Sequence, residues 1–168
     1  MAETITVSYQ TNCTVSQTLD STYNPAASGG GATITHNGYN TDVSANSSSA
    51  SYPVSKTAVF SKALSGGAAT IDLTSLTGTN GASVDFSTLK VQFFKFKNPS
   101  TNANSITVTY GASNPYLLGG SGFKWILTPG AEIQGMCYEG SPDVDSTHKT
   151  IDLSGTGSQT LQVTLVAG

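Results

Sequence analysis

The stretch Leu89-Lys-Val-Gln-Phe-Phe-Lys-Phe-Lys-Asn-Pro-Ser-Thr-Asn-Ala-Asn-Ser-Ile-Thr-Val-Thr-Tyr110 reads as two strands around a polar turn. Leu89, Val91 and Phe93 alternate, and so do Ile106, Val108 and Tyr110, while Asn98 to Asn102 is a cluster of turn formers. The spacing predicts a β-hairpin. Three of the six phenylalanines lie in its first strand, and burying each stabilises by about 1.5–3 kcal/mol, so this stretch should anchor the core. Phe93 and Phe94 are adjacent, which sends them to opposite faces of a regular strand. Either both faces are covered or a bulge lies here. The reading adopted is a central strand with one face in the core and Phe94 and Phe96 available to a partner or a covering loop.

Outward from this stretch the chain keeps one character. Thr, Val, Ile and aromatics recur on short alternating runs, and strong helix formers are sparse. Candidate strands cover Val54–Leu64, Ala69–Leu73, Phe123–Leu127, Ala131–Tyr138, Lys149–Leu153 and Gln159–Val166, separated by Gly66-Gly67, Pro129-Gly130 and similar turns. The expected fold is all-β: a two-sheet antiparallel β-sandwich or jelly roll, occupying residues 52–168. Residues 1–51 form an N-terminal strand and a low-complexity arm rich in Ser, Gly, Ala and Asn. Within that arm, Asn37-Gly38 predicts a type I′ turn and a protruding hairpin over 32–43. Ile34, Tyr39 and Val43 are its large apolar residues, and with Phe94 and Phe96 they are the candidate assembly contacts.

Composition narrows the function classes. Charged residues make up 10% of the 168, the net charge is −3, and there is no arginine. Lys90, Lys95 and Lys97 therefore read as solubilising residues beside an apolar strand, and no nucleic-acid partner is expected. No apolar run approaches the roughly 20 residues of a membrane span, and Met1–Val7 has no signal-peptide pattern. The expectation is a protein made in a host cytoplasm and carried in a particle, with an extracellular location as the alternative. Cys13 and Cys137 are read as reduced, buried residues.

Chemistry-bearing patterns are scarce. His36 and His148 lack metal-ligand spacing, Asp143-Val-Asp-Ser-Thr147 lacks the glycine and distal glutamate of a calcium loop, and Glu132 and Glu139 do not pair as catalytic carboxylates. Gly119-Gly-Ser-Gly122 leads into a strand, whereas a phosphate loop needs a helix. No catalytic residue, cofactor or metal is expected. Tyr116 and Trp125, with Phe123 and Tyr138 nearby, are read as core residues, with an aromatic platform for a glycan as the alternative.

The pieces Phe96-Lys-Asn-Pro-Ser-Thr-Asn102, Ile106-Thr-Val108 with Gly111, and Ile126-Leu-Thr-Pro-Gly-Ala131 followed by a closing strand resemble the small β-sandwich virion proteins of tailed bacteriophages. The likeness covers Leu89 to Gly168, and the first 88 residues have no counterpart in it. It implies a minor capsid, head-decoration or tail-associated subunit that binds copies of itself and other particle proteins, with no catalytic residues to carry over. The alternatives are a subunit of an extracellular filament or surface layer, and a carbohydrate-binding module.

Overall fold

The computed structural model describes residues 5–18, 33–36, 41–79, 81–137 and 141–168. Among these residues there is no helix, and the chain is all-β. The strands are β1 (Thr6–Thr11), β2 (Val15–Thr18), β3 (Thr33–His36), β4 (Thr41–Asn46), β5 (Lys56–Ala63), β6 (Ala68–Asp72), β7 (Leu76–Thr77), β8 (Ser83–Val84), β9 (Val91–Lys97), β10 (Ile106–Tyr110), β11 (Lys124–Leu127), β12 (Glu132–Met136), β13 (Thr150–Ser154) and β14 (Thr160–Ala167). Two compact units emerge: Val7–Ser44, and a larger one that contains Ala45–Gly168. The chain enters the larger unit again at Ala45, a buried residue, and the Asn46 carbonyl next to it accepts a hydrogen bond from the Val54 amide at 3.2 Å.

The larger unit is an antiparallel β-sandwich. Its front sheet has the order β11-β10-β13-β6 and its back sheet the order β12-β9-β14-β5. Each pairing joins strands of opposite direction, and the nesting is regular: β5 with β14, β6 with β13, β9 with β12, β10 with β11. Among these eight strands the first meets the last, and successive pairs close inward on alternating sheets.

This nesting corrects the reading of residues 89–110. Both strands exist, but β9 lies in the back sheet and β10 in the front sheet, so residues 98–105 cross between layers. Alternation tells a strand which side to bury; it does not say which strand lies beside it. Asn98 makes the crossing possible. Its side chain is fully buried, with Nδ2 donating to Leu127 O at 2.8 Å and Asn104 O at 3.1 Å, while Oδ1 accepts from Asn102 Nδ2 at 2.6 Å. A buried amide must be paired or it costs about 1–3 kcal/mol per unmet group, and here both ends of the amide are engaged. Gly66-Gly67 behaves similarly: positive φ values of 60° and 86° close a two-residue turn with one bridge, Ser65 to Ala68, after which β5 and β6 part into opposite sheets. Thr128-Pro-Gly-Ala131 is the expected turn, with Gly130 at φ 83° and the Ala131 amide donating to Thr128 O at 2.9 Å.

The inner rows explain the packing. Trp125, Val108, Leu153 and Ala69 face inward from the front sheet; Gly135, Phe94, Leu165 and Ala58 do so from the back. Trp125 stacks on Phe94 at 5.2 Å with 10° between the rings. Gly135 leaves the space that Phe94 fills, since a Cβ there would stand 2.6 Å from the ring. Phe94 and Phe96, 7% and 0% exposed, are therefore core residues and not assembly contacts. The cause is a bulge: the β9–β14 register shifts so that Val166 faces Phe93 but Ala167 faces Val91. The extra residue, Gln92, turns Val91, Phe94 and Phe96 all inward and Phe93 outward, where Tyr52 covers it at 5.6 Å. The strand thus has both a bulge and two covered faces.

In Val7–Ser44 the pairings are β1 with β4 and β2 with β3. The expected hairpin over 32–43 is not formed, because β3 and β4 each pair with an earlier strand; the turn at 37–40 lies outside the described residues. No described side chain of this unit is buried.

Candidate functional site

Tyr116 and Trp125 do not make a platform. Tyr116 is fully buried; its hydroxyl accepts from the Val91 amide and donates to Pro142 O, each at 3.0 Å. Burial pushes its pKa up to about 12, against the opposing pull of the Val91 amide. Trp125 is held by Phe94, by Phe123 at 4.6 Å and by Phe96 at 6.2 Å, and Gly119 is small because a Cβ would come within 2.6 Å of the indole. Both aromatics fill core volume, the larger use of such residues in a sandwich. Of the other candidates, Val43 is half-buried on β4, Ile34 sits on β3 opposite Gln17 with its side chain outside the described set, and Tyr39 lies outside the described residues.

The titratable groups are mostly structural. Asp145 Oδ1 accepts from the amides of Thr147 and His148 and from the Thr147 hydroxyl, and those bonds, with His148, hold its carboxyl far below the usual range. This turn is what Asp143–Thr147 builds. Burial raises the pKa of Asp72, but the Thr74 hydroxyl and amide and Lys149 Nζ, at 2.6, 2.9 and 3.0 Å, outweigh it and lower the net value. Cys137 is half-buried, with its thiol 3.6 Å from Leu118 O and its pKa raised by burial; Cys13 is exposed, contrary to the expectation that both are buried. Among the described residues, no group of three His, Cys, Asp or Glu side chains is placed to hold a metal ion.

What the structure does present is two outer sheet faces. On the back sheet one row runs Glu132, Lys97, Gln162, Ser61 and the next Gln134, Lys95, Thr164, Val59. Glu132 reaches Lys95 at 2.9 Å and Lys97 at 3.6 Å, and the Lys95 hydrogen bond lowers its pKa. Beside them lies an open depression of about 480 Å³, with Val59 46% exposed. On the front sheet one row runs Lys124, Thr109, Asp152, Thr70 and the next Ile126, Thr107, Ser154, Ala68, with Ile126 61% exposed. A depression of about 420 Å³ is lined by Thr109, Lys124 and Asp152 of this row together with Tyr110 and Phe123; Tyr110 is 42% exposed and lies on the inward parity of β10, packed against Phe123. Sequence reading passed over Tyr110 and Asp152. The available signal was a single carboxylate at an outward position of Thr-Ile-Asp-Leu-Ser154 and a tyrosine ending an alternating run just before Gly111. No protein-family model matches the chain, and no characterised protein matches it significantly in sequence.

Proposed function

We propose that the protein is a non-enzymatic structural subunit of a virus-like particle, a capsid, decoration or tail-associated protein of the tailed-phage kind, which acts by self-assembly. The observation that carries this reading is the nested pairing of eight strands, first with last and fourth with fifth, on alternating sheets. Such nesting supports the jelly-roll reading, an architecture used by viral capsid proteins. The surface supports it. Apolar Ile126 and Val59 stand exposed on the two outer faces, and β11 and β5 are edge strands that, among the described residues, have one neighbour each in their sheets. Val7–Ser44, with no described side chain buried, gains most by packing on another copy, as an arm that adds strands to such an edge.

The test is the mass of the purified chain by light scattering, with negative-stain imaging of the same sample. A defined oligomer or regular assembly is expected, and removal of residues 1–44 should leave a folded sandwich that no longer assembles. A 17.2 kDa monomer at every concentration would overturn the proposal.

A further inference from the structure

We propose that the free edge of β5 takes up β2 of a second copy's Val7–Ser44 unit as an added strand. This rests on the structural-subunit reading and names the edge, the strand and the backbone groups through which copies join.

The hydrogen-bond register fixes which groups are free. The Leu64 amide donates to Gln159 O at 2.8 Å, a pair that continues the β5–β14 register. Bonded pairs recur at every second residue of an antiparallel ladder, so Lys56, Ala58, Phe60 and Lys62 turn their amides and carbonyls towards β14. Those of Thr57, Val59, Ser61 and Ala63 point the other way, where no strand pairs with β5 among the described residues. β7 and β8 pass close to β5 but pair with each other. Open depressions of about 480 and 400 Å³ lie along Val59-Phe60-Ser61, one reaching Lys95 and Lys97 and the other Ile71 and Leu76. The edge therefore has both room and a row of alternating donors and acceptors at strand spacing.

Charge selects the occupant. Residues 1–55 carry Glu3, Asp20 and Asp42, three of the ten acidic residues, and no lysine or arginine; the remaining seven acids match the seven lysines, all of which follow. The net charge of −3 thus lies entirely in the N-terminal segment. Lys56 and Lys62 stand on β5 itself, and Lys95 and Lys97 line the depression beside it. Pairing two β5 strands would bring four lysines to one seam, which disfavours it. The N-terminal segment of a second copy brings carboxylates and no cations, so it is drawn to this edge. Within Val7–Ser44, β2 offers Val15, 47% exposed, as the apolar partner for Val59, 46% exposed, and each covers the other on pairing.

The experiment follows assembly of the full chain by light scattering over a concentration series, with near-ultraviolet circular dichroism as the record of folding. Ser61→Pro removes an outward amide that β14 does not use, and an edge strand tolerates proline at such a position. It should leave the chain folded and raise the concentration needed for assembly about 10-fold or more, Lys62→Glu should raise it about 3-fold, and Ser61→Ala should leave it unchanged. Should Ser61→Pro unfold the chain, Ser61→Cys reports instead: a short bis-maleimide should join position 61 of one copy to the exposed Cys13 of another, just before β2, as a cross-linked peptide seen by mass spectrometry. Assembly of folded Ser61→Pro at the wild-type concentration, or links only between two copies of position 61 or within one chain, would overturn the edge assignment and leave the subunit reading standing. A wild-type chain that stays monomeric would overturn both.

Discussion

In the sandwich, β5 pairs with β14 and the inner pairs close towards β10 and β11; in Val7–Ser44, β1 pairs with β4 and β2 with β3. The two units share a nested pairing plan, yet one buries Phe96, Ile151, Leu165 and Tyr116 completely while the other buries no described side chain. The residues account for the difference. The inward rows of the sandwich hold Phe, Trp, Leu, Val and Ile, whereas β1 to β4 are mostly Thr, Ser, Gln and Asn. Backbone pairing draws strands together in both, but two-stranded ribbons are marginal in water without an apolar face to cover. Stability resides in the filled interior, and assembly, on the reading proposed above, in the ribbons that lack one.

Three measurements press on this contrast. The largest effect should come from Phe96→Ala, which removes a fully buried ring between Trp125 and Val163 and should destabilise the sandwich by about 3–5 kcal/mol in denaturant unfolding. A loss under about 1 kcal/mol would mean that the interior is far looser than its packing shows. The second effect concerns Tyr116, whose pKa rises from 10.0 to about 12 on folding. The folded chain then binds more protons between those values, so the contribution is fully present below pH 10 and is lost as pH climbs towards 12, by about 2–3 kcal/mol. Tyr116→Phe should lower stability at neutral pH but remove that alkaline slope; an unchanged slope would assign it elsewhere. The smallest effect should come from Val15→Ala on β2, 47% exposed, which should shift unfolding by less than about 0.5 kcal/mol. A loss as large as that of Phe96→Ala would erase the contrast between the units.

The same contrast explains how far residue patterns could be read. The inward sets Leu161, Val163, Leu165 and Ile106, Val108 follow strict alternation, and the turns at Gly66-Gly67 and Pro129-Gly130 have the glycines that positive φ requires. Such signals are local, and they hold. Asp152 was harder to see, because an outer sheet face draws its residues from separate strands, here β10, β11 and β13. For Tyr116 and Trp125 the residue order left two uses open, core filling and an exposed platform, and packing placed both against the core.

What residue order determined by itself is the strand class of the chain, the position of its main strands and turns, and the apolar side of each regular strand. The tertiary structure alone decided that Asn98–Asn102 crosses between sheets, that Gln92 bulges and turns Phe94 and Phe96 inward, and that β9 lies between β12 and β14. The physical reason is range. Alternation and turn geometry are set by a few neighbouring residues, whereas pairing is chosen by which distant faces fill a common interior at close packing.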